Sequence, residues 1–317
     1  MKIVFIDQDY RANVFDGEGL VAPLAEYGEV TGYDDDPCGQ EVLYERARGA
    51  DVMFFKINHL GNDLIDRLAK LKFMQFIGIG YRDYADVPHC ASRGITVRGI
   101  GEYGSNAVAE FALGLIFNAI RGIPVAYRRM KNHVWTLDGM LGGELALSAV
   151  GVVGTGAIGG LVAKKLSLLG ARVLAYDIYP DDELREKFGV EYVDIATLMR
   201  ESDVVSVHLK HTPQTEGLIS RELLGMMKRG SYFINTARAQ IVDYGALDDF
   251  LREGRLAGAA IDVHYSQPPS DWGLYDMENV IATPHMGYYT KIANTNMLRL
   301  SVASVMEYLK TEMGQVI

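Results

Sequence analysis

Three glycines are the first residues whose spacing predicts a particular chemistry. Gly154, Gly156 and Gly159 follow the apolar run 149–153 and precede a helical pattern. In this arrangement the first glycine permits a tight turn, the second lets the backbone approach a pyrophosphate, and the third lets helix and strand pack closely. The start of the helix adds unpaired N–H groups and partial positive charge. The spacing predicts a dinucleotide site whose contacts are Gly154, Gly156, Ala157, Ile158 and Gly159.

An aspartate after the next strand indicates which dinucleotide binds. Asp177 lies about 18 residues beyond the last glycine, where a carboxylate accepts hydrogen bonds from the adenosine ribose and repels a 2′-phosphate. Lys210 and His211 follow a strand that ends near His208 and that passes beside the adenosine in this architecture. His208 is therefore predicted to contact the cofactor. A cation there would offset the repulsion. The sequence favours NAD and leaves NADP open.

The elements that position these residues are short strands alternating with helical patterns. The run from Ile158 to Leu169 has the i, i+3, i+4 spacing of a helix, which Gly170 is placed to end. Several strands are continuously apolar, as strands buried on both faces should be. This alternation predicts an α/β fold with parallel sheets. The predicted strands are Lys2–Ile6, Asp51–Phe55, Phe73–Ile77, Ala149–Val153, Arg172–Tyr176, Val204–Leu209, Ser231–Asn235, Ala259–Asp262 and Val280–Ala282.

The length of 317 residues allows two domains. A long apolar helix over 106–121 and a helical C-terminal segment from about 290 to 310 mark the places where the chain crosses between them. We therefore expect two Rossmann-like lobes with doubly wound parallel sheets. In this interpretation 1–99 plus 289–317 form the substrate domain, and 100–288 form a nucleotide-binding domain inserted into it.

The composition excludes several classes of protein. A hydrophobic content of 49% and a charged content of 23% are ordinary for a globular chain and argue against disorder. The net charge of -10 argues against nucleic-acid binding, which needs a basic face. Cys38 and Cys90 predict two reduced thiols, with no disulfide framework and no metal site. Without an apolar run of ~18 residues or a signal peptide, we expect a cytoplasmic protein that binds no membrane.

A series of motifs carries a family resemblance. The motifs occur in the order Gly143-Glu144-Leu145, the glycine turn, Tyr176-Asp177, Asn235-Thr236-Ala237-Arg238, Ile261-Asp262-Val263 and Thr283-Pro284-His285-Met286-Gly287. Together they resemble the D-isomer-specific 2-hydroxyacid dehydrogenases, which include formate and phosphoglycerate dehydrogenases. The resemblance covers nearly the whole chain and is weaker before residue 70. It implies hydride transfer between a nicotinamide and a small 2-oxo or 2-hydroxy acid, and a homodimer formed through an irregular arm over 121–147.

The resemblance assigns the chemistry to an arginine and a histidine. Arg238 matches the family's arginine, whose planar fork holds the substrate carboxylate and the reacting oxygen. His285 matches the acid/base histidine, which protonates a carbonyl oxygen as hydride arrives or takes the proton from an alcohol in reverse. Further cofactor contacts are implied at Thr236, Ala237, Asp262 and Gly287, and substrate contacts at Lys56, Ile79 and Gly80.

The sequence departs from the family at the partner of the histidine. Hydroxyacid-oxidising members have a glutamate five residues after the aspartate that corresponds to Asp262, whereas this chain has Gln267. A carboxylate beside an imidazole raises the pKa of the imidazole, and an amide keeps the hydrogen bond without the charge. We therefore place Gln267 in the catalytic group and expect the pKa of His285 to lie lower than in those members, which makes it a poorer reservoir of protons at neutral pH.

Several functions remain open after this departure. In the first alternative, the chain reduces a 2-oxo acid with a Gln-His pair in which the histidine is less readily protonated. In the second, it acts as formate dehydrogenases do, although Gly104 stands where they place an asparagine. Alternatively it reduces a 2-imino acid to a D-amino acid, since an iminium needs only hydride, and Asp83 or Asp86 would meet a cationic substrate tail. An NAD-sensing scaffold without catalysis is the alternative from another class, and the intact Arg238 and His285 argue against it.

Overall fold

The computed structural model describes residues 1–7, 17–33, 35 and 39–314, and the chain divides into two compact units. Unit 1 is Met1–Gly104 with Tyr289–Ile317, and unit 2 is Ser105–Tyr288. The first crossing therefore lies after Gly104, whereas the sequence placed it after residue 99. The roles of the units in binding substrate and nucleotide stay predictions. Cys90 is a buried free thiol, and Cys38 lies outside the described residues.

Unit 1 is built on a parallel sheet of five strands. The strands are β1 (Lys2–Phe5), β2 (Glu29–Gly32), β3 (Val52–Phe55), β4 (Phe73–Phe76) and β5 (Thr96–Arg98), in the order β2-β1-β3-β4-β5. β3 and β4 are buried along their whole length, which is why their sequences are almost wholly apolar. The helices of this unit are α1 (Gly17–Val21), α2 (Gln40–Ala47), α3 (Asn62–Arg67), α4 (Val87–Ser92) and, at the end of the chain, α12 (Lys291–Gly314).

Unit 2 is built on a parallel sheet of seven strands. The strands are β6 (Ala149–Val153), β7 (Arg172–Tyr176), β8 (Glu191–Tyr192), β9 (Val204–Val207), β10 (Tyr232–Asn235), β11 (Gly258–Ile261) and β12 (Val280–Ala282), in the order β12-β11-β10-β9-β6-β7-β8. The helices are α5 (Ser105–Arg121), α6 (Ile123–Lys131), α7 (Ala157–Leu168), α8 (Asp182–Phe188), α9 (Ile195–Glu201), α10 (Arg221–Met226) and α11 (Tyr244–Arg252).

Both faces of the seven-stranded sheet are covered. Residues of α5 and α7 share one apolar cluster with side chains of β6, such as Val150 and Val152. Residues of α9, α10 and α11 share a second cluster with Val153, Val205 and Phe233. Successive side chains of a strand point to opposite faces, so each central strand supplies both clusters. The prediction of an α/β fold with doubly wound parallel sheets is confirmed.

The sequence missed three strands and one helix. β2, β5 and β8 each lie at an edge of a sheet, and none of them is buried throughout. A short edge strand needs no continuous apolar run, so its sequence carries little signal. The segment 121–147 was expected to be irregular, but it contains α6. The limits of β6, β7 and β12 are the predicted ones, and those of the other predicted strands differ by one or two residues.

No single described helix has the length and apolar character to cross a membrane. Within the described ranges, one pair of helices, α5 and α6, passes that test when taken together, and it is bent by 66°.

Candidate active site

The residues predicted to bind cofactor and to catalyse lie at one edge of the seven-stranded sheet. The chain changes direction between β6 and β9, because β6 leads outward to β7 and β8 while β9 leads outward to β10, β11 and β12. Ligands of open α/β sheets bind outside the carboxyl ends of the strands at such a point. The residues that follow these strand ends are the turn Gly154–Gly159, Asp177, His208, Thr236, Ala237, Arg238, Asp262, His285 and Gly287.

The glycine turn after β6 has the geometry of a phosphate cradle. Gly154 has a φ of +93°. A Cβ on Gly159 would lie 1.8 Å from the Gly154 oxygen, so no larger residue fits there. A Cβ on Gly156 would meet no atom within 4 Å, so this part of the backbone borders open space. Ala157 and Ile158 begin α7, whose first N–H groups lack partners within the helix. The turn therefore fits a pyrophosphate.

Asp177, after β7, is held in one orientation. Its Oδ2 accepts a hydrogen bond from the Thr155 N–H at 2.6 Å, and its Oδ1 accepts one from the Tyr179 N–H at 2.9 Å. A carboxylate oxygen has two acceptor sites, so Oδ1 can still accept a second hydrogen bond. Asp177 can therefore receive a ribose hydroxyl without giving up its protein contacts.

His208, after β9, supplies shape to the site and no charge. Its Nε2 lies 2.8 Å from the Ser206 Oγ, and burial lowers its pKa to about 4, so the ring is neutral at physiological pH. A Cβ on Gly159 would lie 3.0 Å from the His208 Cβ, so His208 packs against the glycine turn. Lys210 is exposed, and within the described part of the chain no acidic group pairs with it.

A buried asparagine holds the turn that carries Arg238. Asn235 donates from Nδ2 to the Arg238 oxygen at 3.1 Å and to the Tyr244 Oη at 3.0 Å, and its Oδ1 accepts from the Ala237 N–H at 3.0 Å. The buried Oγ1 of Thr236 has no hydrogen-bond partner among the described residues. A bound cofactor would supply the hydrogen-bond partner that the Thr236 hydroxyl lacks, so this residue fits a cofactor site.

Arg238 and His285 lie on the same sheet edge, after β10 and β12. One strand, β11, separates them, and neighbouring strands are about 4.8 Å apart, so the two strand ends are roughly 10 Å apart. Arg238 has extended backbone and donates from Nη1 to the Ala237 oxygen at 2.8 Å. A guanidinium has five N–H donors in a planar fork, and this contact uses one of them.

Asp262 fixes the loop that carries His285. Its Oδ1 accepts from the Thr283 Oγ1 at 2.6 Å and from the Met286 N–H at 2.9 Å, and its Oδ2 accepts from the Gly287 N–H at 2.8 Å. Burial raises the pKa of Asp262, and these three hydrogen bonds act against that shift. His285 has a φ of +52°, a costly conformation for histidine that this loop maintains. The predicted contact of Asp262 with a nicotinamide stays a prediction.

The amide of Gln267 faces the ring of His285. Its Nε2 lies 3.0 Å and its Oε1 3.1 Å from the His285 Nδ1. An amide turned one way donates to Nδ1 and places the proton of the neutral ring on Nε2; turned the other way, it accepts from an Nδ1–H. A carboxylate permits only the second arrangement. The amide therefore lets a neutral His285 present either an Nε2–H donor or an Nε2 acceptor.

The predicted substrate residues lie in unit 1, at the carboxyl edge of its own sheet. Lys56 follows β3; burial lowers its pKa to about 8, and the nearby charge of Asp7 opposes that shift. Ile79 and Gly80 follow β4, and among the described residues no acceptor pairs with their backbone N–H groups. Two adjacent N–H groups of this kind suit an anion. Asp86 instead caps α4, accepting from the His89 N–H at 3.0 Å.

The sequence analysis gave no role to three polar residues, of which two lie at strand ends and one begins α11. They are Asn235, Tyr244, whose Oη also donates to the Val263 oxygen at 2.9 Å, and Asp7, which is buried after β1. The signal was present for two of them, because a polar residue directly after an apolar strand marks the carboxyl edge where sites form. No group of three or more metal-binding side chains occurs among the described residues.

Comparisons with known proteins agree with this geometry. The family model described as "D-isomer specific 2-hydroxyacid dehydrogenase, NAD binding domain" matches residues 113–287. A D-3-phosphoglycerate dehydrogenase of Methanocaldococcus jannaschii is 34% identical over 303 residues, which cover 94% of this chain and 57% of that protein. The chain spans about half the length of the phosphoglycerate dehydrogenases that it matches.

Two further proteins are similar over nearly their whole length. A glycerate dehydrogenase of Methylorubrum extorquens is 32% identical over 304 residues, which cover 92% of this chain and 91% of that protein. A solved structure of an acyclic imino acid reductase in complex with NADPH and D-Arg has a TM-score of 0.83 and 25% identity, and it covers 98% of each chain.

Proposed function

This chain belongs to the D-isomer specific 2-hydroxyacid dehydrogenase family, and on that premise we propose that it is an NAD(P)-dependent oxidoreductase of small 2-oxo and 2-hydroxy acids. One observation carries the proposal. The loop that bears His285 is fixed by Asp262 and faces Gln267, at the same sheet edge as the glycine turn and Arg238. An acid/base group, a cation and a phosphate cradle therefore share one edge.

The residues of the cradle would hold the cofactor. Gly154, Gly156 and the start of α7 suit the pyrophosphate, Asp177 suits the adenosine ribose, and Thr236 supplies a hydroxyl that lacks a protein partner. When bound, a nicotinamide dinucleotide supplies or accepts the hydride. Every other requirement of the reaction falls to side chains of this protein.

Arg238 and His285 divide the work on the substrate. The guanidinium of Arg238 pairs with the carboxylate and the reacting oxygen, which fixes the reacting carbon and offsets negative charge as it forms on that oxygen. The Nδ1 of His285 is bound by Gln267, so Nε2 is the nitrogen that exchanges a proton with the substrate oxygen. For unit 1 taken by itself, we propose Lys56, Ile79 and Gly80 as substrate-binding residues, because an ammonium and two adjacent N–H groups suit a carboxylate.

A second candidate substrate is a 2-imino acid, which would be reduced to an amino acid. The observation that favours it is Gln267, because a neutral amide does not hold His285 in its cationic form, and a cation beside an iminium would be repulsive. The nitrogen of an iminium is already protonated, so its reduction needs a hydride and no further proton. The similarity to an imino acid reductase supports the same candidate.

A turnover assay with reduced nicotinamide tests both candidates. The purified chain is incubated with NADH or NADPH and with glyoxylate or pyruvate, with and without ammonia or methylamine, and the absorbance of the reduced nicotinamide is followed. Turnover without amine supports 2-oxo-acid reduction, and turnover that requires amine supports imine reduction. Quenching of protein fluorescence by the nucleotide with no turnover under any condition would contradict both and favour a scaffold that only senses the nucleotide.

We also propose a homodimer formed through the arm over 121–147. Trp135 is 88% exposed, Leu137 86% and Leu141 100%, which is an unusual density of exposed apolar side chains. Light scattering during gel filtration should give the mass of two chains, and Leu141→Glu should reduce it to one. A monomeric parent protein would remove this proposal. A cytoplasmic location is proposed from family membership, and cell fractionation tests it.

A further inference from the structure

A line of hydrogen bonds leads from the edge strand β8 to Asp177. The Asp181 N–H donates to the Tyr192 Oη at 3.0 Å, and the Tyr192 O–H donates to the Thr155 Oγ1 at 2.9 Å. The Thr155 Oγ1 lies 3.3 Å from the Asp177 Oδ2, which also accepts from the Thr155 N–H at 2.6 Å. Tyr192 lies outside the glycine turn and Thr155 is a non-glycine residue within it, and the proposed function gives neither of them a role. We call this line the Tyr192 relay.

The direction of the Tyr192 relay is fixed by its two ends. A backbone N–H can only donate, so the Asp181 end makes the Tyr192 oxygen an acceptor and sends the phenolic proton to Thr155. An ionised carboxylate can only accept, so the Thr155 hydroxyl donates to Asp177. All donors therefore point toward Asp177, and hydrogen bonds aligned in this way polarise one another.

Burial makes the Tyr192 relay hard to replace by water. Thr155 is only 7% exposed and lies between two glycines of the turn. The guanidinium of Arg185 lies over the Tyr192 ring, 5.3 Å from its centre. Removing the tyrosine hydroxyl would therefore leave the Thr155 Oγ1 with one partner fewer, and the Asp177 carboxylate would be less firmly held.

We infer that Tyr192 and Thr155 are positioning residues that fix Asp177 as an acceptor for the ribose hydroxyls and so make this protein select NAD over NADP. The inference rests on the proposed function, because it assigns the adenosine ribose to Asp177. A 2′-hydroxyl donates to the fixed carboxylate, whereas a 2′-phosphate brings negative charge against it. The donors of the Tyr192 relay are already used by Asp177, so they cannot turn to bind a phosphate.

The test measures binding of both reduced nucleotides to the full-length protein. NADH and NADPH are titrated separately, with protein fluorescence as the readout, for the parent, Tyr192→Phe, Thr155→Val and Thr155→Ser. We expect the parent to bind NADH more tightly, and Tyr192→Phe to raise the Kd for NADH by roughly threefold to tenfold. The Kd for NADPH should change less, so that the ratio of the two constants falls. Thr155→Val should lower that ratio further, and Thr155→Ser should restore it.

A matched control separates positioning from general damage. Tyr232 lies in the same sheet and is half-buried, and its hydroxyl makes no hydrogen bond among the described residues. Tyr232→Phe should leave both constants and their ratio unchanged. If Tyr192→Phe does not fold, as judged by thermal unfolding, the comparison of Thr155→Val with Thr155→Ser decides the question.

The outcomes distinguish this inference from the proposed function. A parent that binds NADPH as tightly as NADH overturns the inference and leaves the proposed oxidoreductase standing. Variants that raise the Kd for NADH and the Kd for NADPH by the same factor also overturn it, because a merely structural role would weaken the binding of both nucleotides equally. A parent that binds neither nucleotide contradicts the proposed function itself.

Discussion

The two sheets of this molecule are both doubly wound, but they differ at the point where the strand order reverses, which lies between β6 and β9 in one sheet and between β1 and β3 in the other. In the seven-stranded sheet β6 ends in a glycine turn that borders open space. In the five-stranded sheet β1 leads to Asp7, whose carboxylate accepts the N–H groups of Lys56, Ile57 and Asn58 at 2.8–2.9 Å. Backbone N–H groups at strand ends attract anions in both units. Between β1 and β3, however, these groups already bind the carboxylate of Asp7, a side chain of the protein itself. The residue at the strand end therefore decides whether such a point can take a ligand.

The largest expected effect tests whether chemistry lies at the edge of the seven-stranded sheet. Arg238→Ala should lower kcat/KM for a 2-oxo acid by about 10²–10³-fold, because the substrate oxygen loses its cation. Steady-state kinetics measure this effect. Arg221→Ala is the control, since Arg221 is an exposed arginine of the same unit that pairs with Asp249. Equal kinetics for the parent and Arg238→Ala would remove Arg238 from the site.

The next test fills the open space at the glycine turn. Gly156→Ala should raise the Kd for NADH by about tenfold, because a methyl group takes space that the pyrophosphate needs. Its thermal unfolding should be unchanged, since the new Cβ meets no protein atom within 4 Å. Gly114→Ala, a helical glycine whose added Cβ also meets nothing, is the matched control. Unaltered affinity in Gly156→Ala would show that the turn does not approach a phosphate.

The third test removes the internal anion of unit 1. Asp7→Ala should lower the free energy of unfolding by about 1–3 kcal/mol, because three part-buried N–H groups lose their acceptor. Urea unfolding measures the change, and Asp63→Ala, an exposed acid on α3, serves as the control. Equal stability of Asp7→Ala and the parent would break the comparison between the two sheets.

A smaller effect concerns the charge state of His285. Gln267→Glu should raise the pKa of His285 by roughly one unit, because a negative carboxylate replaces a neutral amide at Nδ1. Reduction of a 2-oxo acid, which needs the protonated ring, should then continue to higher pH. The pH profile of kcat/KM measures the shift. Superimposable profiles for the two proteins would contradict the role given to Gln267.

The smallest effect concerns Lys56. Its pKa of about 8 means that the side chain changes its charge within the pH range of a kinetic assay. The side chain is a cation below that pH and neutral above it, so the KM for an anionic substrate should rise by about threefold as pH passes through 8. Lys56→Arg should remove this rise because an arginine stays charged. A rise that persists in Lys56→Arg would assign it to another group.

Much of the cofactor site could be predicted from the sequence because its parts are local. The glycine spacing needs only a strand, a turn and a helix start, and Asp177 follows directly after the next strand. Arg238, Gln267 and His285 were found only through motifs shared with a family. Their joint role in catalysis stays a prediction, although the structure places Arg238 and His285 at one sheet edge and Gln267 beside His285.

The sequence by itself determined the fold class, the central strands and the glycine turn, since apolar runs and φ-permissive residues express short-range preferences. Only the tertiary structure decided how Asp262 holds the loop of His285, how Asp7 holds residues 56–58, and how Tyr192 reaches Thr155. The physical reason is that each of these hydrogen bonds joins residues far apart in the chain. No periodicity encodes such a bond, because its partners meet only when parallel strands bring their ends to a common edge.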